Sequence, residues 1–272
     1  MLFRSAELIW AVDVNHNSSE NIIENVELRG NLVFFQTTDS VIPGNALVAV
    51  KDENGTILWS WHIWVVDYEP ETHYQTYYSG AKMMDRNLGA SKAMPELADY
   101  VSTWKPAAGT LYQWGRKDPI IYGISSIRHS AFSSVEESAA DPASFGAGGD
   151  YWLSPFNEYL WLPDSKTKYD PCPAGWRVAP KSAWDGMTCS ATYNPHGMLM
   201  NVGQEEKIWV GFGPYMHSGG DYFEHNGNGY TWTSDYNHGS IHGWTVRYGD
   251  FWWDFCGDMN ATDGYPVRCM KE

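Results

Sequence analysis

This 272-residue sequence predicts a fold of short antiparallel strands and long loops with a few short helices, and three observations carry that expectation. Aromatic residues make up 15% of the chain, with 15 Trp and 17 Tyr beside 26 Gly, which suits loops pinned by large rings better than long helices. Residues 7–66 contain short apolar runs and one strong hairpin signal. Within residues 229–269, the interval from Tyr230 to Asp258 interleaves nine aromatics with Asp, Asn, His, Ser and Gly, and Arg247 is the one positive charge in that interval. Tyr and Trp offer large contact area at low entropic cost while small polar residues offer adaptable hydrogen bonds, the same set that antibody-like binding surfaces use.

In chain order, residues 7–14 and 32–37 are apolar runs that read as strands. Residues 46–50, the turn Asp52-Glu53-Asn54-Gly55 and residues 56–66 form a hairpin, because Asn-Gly suits the tight turn between two arms. In the second arm Trp59, Trp61, Ile63 and Val65 alternate with Ser60, His62, Trp64 and Val66, so one face is wholly apolar. His62 has no companion His or Cys at metal spacing and reads as a hydrogen-bonded structural histidine. Tyr74, Tyr77 and Tyr78 fall in an expected loop. Asp85 and Arg86 read as a buried structural ion pair, since no nucleophile pattern follows them. A short helix is expected from about Leu111 to Gly115, a polar surface loop over 125–138 and a flexible turn over 146–149. Ser182 is placed to cap a short helix running through Trp184 to Met187. Residues 193–202 and 207–212 read as strands and 219–229 as a glycine-rich loop. Beyond it Trp232 and Trp244 are expected to face inward, whereas 235–242 is mostly polar and hard to bury.

Composition narrows the function classes. Hydrophobic residues at 43% and charged residues at 19% are those of an ordinary globular protein. A net charge of −15 repels phosphate backbones and anionic bilayers, so nucleic acid is not an expected partner. No apolar run reaches the length of a membrane helix, and MLFRSAELIW is too short and too quickly polar for a signal peptide. Of Cys172, Cys189, Cys256 and Cys269, none sits in a CxxC pair, so neither a structural zinc site nor any cofactor is expected. At least one disulfide and an extracellular, cell-surface or virion location are expected instead.

The series MMDRNLGA, GTLYQWGRKDP, YDPCPAGWRVAP, YTWTSD and GYPVRC, in that order, resembles the paralogous surface-protein domain abundant in Fibrobacter and common in Bacteroidetes. The likeness spans roughly residues 59–272 and implies an α+β fold of the C-type lectin-like kind, with short helices, small antiparallel sheets and long loops. Residues 1–58 are then an N-terminal β-strand and hairpin lead-in. The resemblance further implies a bridge between Cys172 and Cys269, which leaves Cys189 and Cys256 as expected free thiols. The tripeptides of calcium-dependent sugar-binding lectins, Glu-Pro-Asn, Gln-Pro-Asp and Trp-Asn-Asp, are absent, and so is the Arg-Gly-Gly-Ser-Trp segment of the formylglycine-generating enzymes.

Residues 235–242 together with Tyr248, Asp250, Phe251, Asp254, Phe255, Cys256 and Asp258 are all of types reachable by adenine mutagenesis of Asn-type codons. Trp244, Trp252, Trp253 and Met259 are not. The segment therefore resembles the variable region of a diversity-generating retroelement protein. The expected function is non-enzymatic: an adhesin or receptor-binding protein whose ligand-binding residues are Tyr236, Asn237, His238, Ser240, His242, Tyr248, Asp250, Phe251, Trp252, Asp254, Phe255 and Asp258, engaging a protein or glycan ligand on another cell surface. Trp232, Trp244, Trp253 and residues 264–269 are expected scaffold between two exposed windows, 235–242 and 248–258. Two other readings stand beside it. One is a surface-fibre subunit docking through the hairpin at 46–66. The other is a metal-dependent enzyme using His238 and His242, against which Gly239 and Gly243 argue for a loop in which the i, i+4 spacing means little.

Overall fold

The computed structural model describes residues 3–96, 103–121, 128–194, 197–223, 228–237, 240–247 and 252–272, with the backbone alone for 191–194, 237, 240, 242–247 and 252–258. The chain begins with β1 (Ser5–Asp13), β2 (Ile23–Arg29), β3 (Leu32–Thr37), β4 (Gly44–Lys51) and β5 (Ile57–Val65). β4 pairs antiparallel with both β1 and β5, and β2 and β3 form a separate two-stranded ribbon. The expected hairpin turns at Asp52, whose carboxylate accepts from the amides of Asn54 and Thr56, both at 2.9 Å, while Gly55 takes φ +80°. That left-handed conformation is one a side chain resists. Ala11, Ile22, Ile23, Ala46 and Val48 form the apolar cluster of this region, with Val33 of the ribbon packed against it.

The two faces of β5 differ from the expectation of one apolar side turned inward. Ile63 and Val65 do pack into that cluster, but Trp61 is 40% exposed. The polar positions are the ones that dock. Ser60, 2% exposed, donates to Asp118 Oδ1 at 2.7 Å, and Lys117 reaches both Ser60 Oγ and Asp118. His62 Nε2–H donates to Asn45 Oδ1 and its Nδ1 accepts from the Tyr112 hydroxyl, each at 2.9 Å, while Asn45 Nδ2 donates to Gly89 O at 3.0 Å. His62 is thus a satisfied structural histidine, and its burial lowers its pKa to about 3. The boundary drawn between residues 58 and 59 falls inside β5.

The remaining elements are short. β6 (Tyr74–Thr76), β7 (Lys82–Met84), the single-turn helix α1 (Lys105–Ala108), β8 (Leu111–Gln113), β9 (His129–Ser130), α2 (Val135–Ala140), β10 (Phe145–Gly146) and β11 (Trp176–Val178) are followed by a 3-10 turn at Lys181–Trp184. Then come β12 (Thr188–Asn194), β13 (Gly197–Asn201), β14 (Lys207–Gly211), β15 (Tyr215–Met216), β16 (Tyr222–Phe223), β17 (Asn228–Asn237), β18 (Ser240–Arg247), β19 (Trp252–Met259), β20 (Gly264–Pro266) and β21 (Cys269–Lys271). They assemble into small, almost wholly antiparallel sheets ordered β11-β21-β7-β6, β16-β15-β20-β8, β12-β13-β14 and β17-β18-β19, with the parallel pair β9-β10.

Several expectations are corrected here. Residues 111–113 are strand, not helix: Leu111 and Tyr112 are buried, and β8 pairs with β20. Gln113, fully buried, donates from its amide to Gly146 O and Thr262 O, both at 2.7 Å, and accepts from Gly146 N at 2.8 Å. The 3-10 turn at 181–184 has Pro180 at its N-cap position and no side-chain cap, so Ser182 lies inside it and not at its start. Residues 193–202 are two strands where one was expected. The stretch 125–138 carries β9 and the start of α2, and Tyr77 is buried against Trp184, not on a loop surface.

A fold with so little regular structure must satisfy its buried loop carbonyls by other means. Tryptophans do much of this. Trp114 Nε1 donates to Thr233 O at 2.9 Å, Trp152 Nε1 to Trp114 O at 2.7 Å, Trp232 Nε1 to Tyr112 O at 2.7 Å and Trp161 Nε1 to Tyr169 O at 3.0 Å. Their rings form the main core with Tyr112, Tyr215 and Tyr265. Each indole therefore contributes a large apolar body and one fixed polar contact. The Cys172–Cys269 bridge implied by the resemblance is present, and Cys189 is a free thiol. The side chain of Cys256 lies outside the described residues. Beside the bridge the buried Asp170 carboxylate accepts from Cys172 N at 2.9 Å, Val178 N at 2.8 Å and Lys166 Nζ at 3.0 Å. Arg86 Nε donates to Asp85 Oδ1 at 2.7 Å, the expected ion pair, and Arg268 reaches back to Asp85 O and Asn87 Oδ1.

Candidate ligand-binding face

β17 is fixed to the core along its base. Thr231 Oγ1 donates to Pro266 O, Trp232 is fully buried, Thr233 O receives the Trp114 indole, and Ser234 N donates to Ala179 O at 3.1 Å. The Tyr230 and Tyr265 rings stack at 4.6 Å and 22°, and Trp232 lies 4.6 Å from Tyr265, so one ring clamps the entry and exit of the three-stranded sheet. The ladder between β17 and β18 breaks register between Trp232 and Tyr236. That irregularity leaves Thr233 and Ser234, both 0% exposed, to bond the core instead of the neighbouring strand.

Within the expected exposed window 235–242, the described backbone of 235–237 and 240–242 belongs to β17 and β18. Tyr236 stands opposite Ile241 and Asn237 opposite Ser240. Ile241 is 1% exposed, and Tyr236 is half-buried against Trp114 and Phe156, at ring separations of 6.2 and 5.1 Å. Asp235 accepts from Lys181 N at 2.5 Å. His242 and Gly243 lie within β18, so at those two positions the expected loop is a strand. On β19, Trp252 stands opposite Arg247, Asp254 opposite Thr245 and Phe255 opposite Trp244, with Asp258 near its end. His238, Tyr248, Asp250 and Phe251 lie outside the described residues.

Beside Tyr236 opens a cleft of about 670 Å³ that the sequence reading did not single out. Its wall is a run of rings: Tyr151 and Phe156 lie 4.3 Å apart, and Phe156 continues to Tyr236. Its rim carries Ser133, Ser134, Asn157, Glu158 and Tyr159. Ser134 caps α2 by accepting from Glu137 N at 3.1 Å, and Glu137 in return accepts from Ser133 N and Oγ, both at 2.8 Å. This reciprocal cap holds one lip of the cleft rigid. Asn157 Oδ1 accepts from Tyr159 N at 2.9 Å and shapes the other lip, from which Tyr159 stands out 68% exposed. The Glu158 carboxylate, hydrogen-bonded to the Tyr159 hydroxyl, raises that phenol's pKa, and desolvation raises Tyr236's. The signal was present in the sequence: Tyr151, Phe156, Asn157, Glu158 and Tyr159 repeat the aromatic and polar mixture of 229–269.

Another chemistry-bearing cluster is enclosed. Lys117, Asp118 and Ser60 would suit proton transfer, but Asp118 and Ser60 are buried, the Lys117 side chain is 8% exposed, and the cavity beside Lys117 and Asp118 holds only about 10 Å³. Among the described residues no group of three His, Cys, Asp or Glu is placed to hold a metal ion, and no helix is long and apolar enough to cross a membrane. No family model, curated protein or solved structure matches this chain.

Proposed function

We propose that this protein is a non-enzymatic adhesin or receptor-binding module of C-type lectin-like fold. It presents the β17-β18-β19 sheet and the adjoining cleft to a protein or glycan ligand on another cell surface. The observation that supports the reading is the continuity of the Tyr151–Phe156 wall with Tyr236, which joins a cleft of ligand-binding size to the segment whose composition already suggested recognition. Aromatic anchors supply affinity and the polar rim supplies selectivity. The test is binding of the fluorescently labelled chain to a panel of bacterial and mammalian cells, read by flow cytometry, beside Tyr236→Ala and Phe156→Ala. Loss of binding at an unchanged fold supports the reading; binding equal to the parent's in both variants overturns it. Diversification of residues 230–269 is tested in the DNA: a near-copy of that segment differing at adenines, close to a reverse transcriptase gene, is the expected arrangement.

One observation favours a second reading, a surface-fibre subunit. An apolar groove of about 410 Å³ opens between the ribbon and β5, lined by Phe3, Leu32, Phe35 and Trp61, with Leu32 64% exposed. Sedimentation of the isolated chain separates the two, because a fibre subunit would form concentration-dependent polymers.

A further inference from the structure

We propose that the cleft beside Tyr236 takes a guanidinium or ammonium side chain from an extended basic peptide segment of the partner. The inference rests on the ligand-binding reading and narrows it to one chemistry. Among the described residues Glu158 is the one charged residue in the lining, and no cation pairs with it. The rings of Tyr151, Phe156 and Tyr236 line the same cleft, in contact at 4.3 and 5.1 Å with planes tilted by 39° and 43° in succession. A carboxylate and aromatic rings lining one cleft attract a cation twice, through the charge and through the ring quadrupoles. Among the described lining residues an anionic ligand meets no counter-charge, and a neutral sugar would stack on the rings without using the carboxylate's charge. The net charge of −15 draws cationic partners toward the molecule at long range. At about 670 Å³ the cleft is larger than one side chain, so it seats a short stretch of peptide.

The test uses the full chain and three probes, read by fluorescence anisotropy: the labelled pentapeptide Gly-Arg-Tyr-Arg-Gly, the same peptide with citrulline for arginine, and a labelled neutral oligosaccharide mixture. The arginine peptide is expected to bind at least tenfold tighter than the citrulline peptide and to weaken as salt rises. Glu158→Gln, which keeps a hydrogen-bonding group beside Tyr159, is expected to cost about tenfold. Phe156→Ala is expected to cost more, and Glu158→Gln decides the matter if Phe156→Ala is unstable. Equal binding of both peptides, no binding of the arginine peptide, or indifference to Glu158→Gln overturns the proposal. Salt-insensitive oligosaccharide binding that Phe156→Ala abolishes would overturn the cation while leaving the ligand-binding reading in place. Cell binding unchanged in Phe156→Ala would remove both.

Discussion

Acidification should loosen the joint between the N-terminal sheet and the rest of the molecule, with His62 as its sensor. Both ring nitrogens are engaged, Nε2–H as donor to Asn45 and Nδ1 as acceptor from Tyr112, so a second ring proton would set two donors face to face. Burial holds the folded-state pKa near 3, below the ordinary value of about 6.5. The unfolded chain therefore takes up the proton first. His62's contribution is fully present above about pH 6.5 and is lost progressively as pH falls toward 3. At about 1.4 kcal/mol per pH unit, going from pH 7 to pH 5 removes about 2 kcal/mol, an upper figure because the residue keeps some exposure. His16, also held near 3 by burial, adds a parallel loss, so the wild type alone does not isolate the effect. His62→Gln does: it removes the titration while keeping an amide able to bond both neighbours. Urea unfolding of both chains at pH 7 and pH 5 should show the gap between them change by about 2 kcal/mol. Parallel losses in the two chains would refute the argument.

Reducing the Cys172–Cys269 bridge, which closes a 97-residue separation, should lower stability by about 4.7 kcal/mol in the chain-entropy model, seen as a drop in urea midpoint with reductant. An unmoved midpoint would show that the reduced chain is equally constrained. Gly197→Ala should destabilise by about 1–3 kcal/mol through overpacking, since its Cβ would lie 2.3 Å from Trp209 Nε1. Gly219→Ala, whose nearest neighbour would be 3.7 Å away, is the near-neutral control in the same thermal melts. Trp232→Phe keeps an aromatic ring but leaves Tyr112 O without its donor, and should cost at least about 1–3 kcal/mol; a loss no larger than that of a surface substitution would deny the indole bond its role.

The parts of this fold legible in the sequence are those where local chemistry decides. Asp52 and Gly55 make their turn from their own atoms, and the Asp85–Arg86 pair joins neighbours in sequence. Where distant partners decide, the reading failed. Leu111, Tyr112 and Gln113 carry no strand signature, and become strand because β20 and the carbonyls of Gly146 and Thr262 meet them there. β2 hid because Ile23–Arg29 mixes Glu and Asn among its apolar residues and is half exposed. The Cys172–Cys269 pairing came through family likeness alone, since spacing left the pairings open. Of the candidate site, Tyr236 was visible as an aromatic in a polar block, but the far wall at 151–159 lies in another loop and only the folded chain brings the two together.

The Tyr265 clamp has a consequence for how this molecule can change. The segment between Tyr230 and Tyr265 enters and leaves the frame at the same ring, and β19 is the outer strand of its sheet. Such a segment behaves as a cassette. Changes in the chain between β18 and β19 leave in place the Trp114 and Trp232 indole bonds and the Cys172–Cys269 bridge, none of which lies in that stretch. On the ligand-binding reading proposed above, such a segment would carry varied sequences on one support, whether nature or an engineer supplies them.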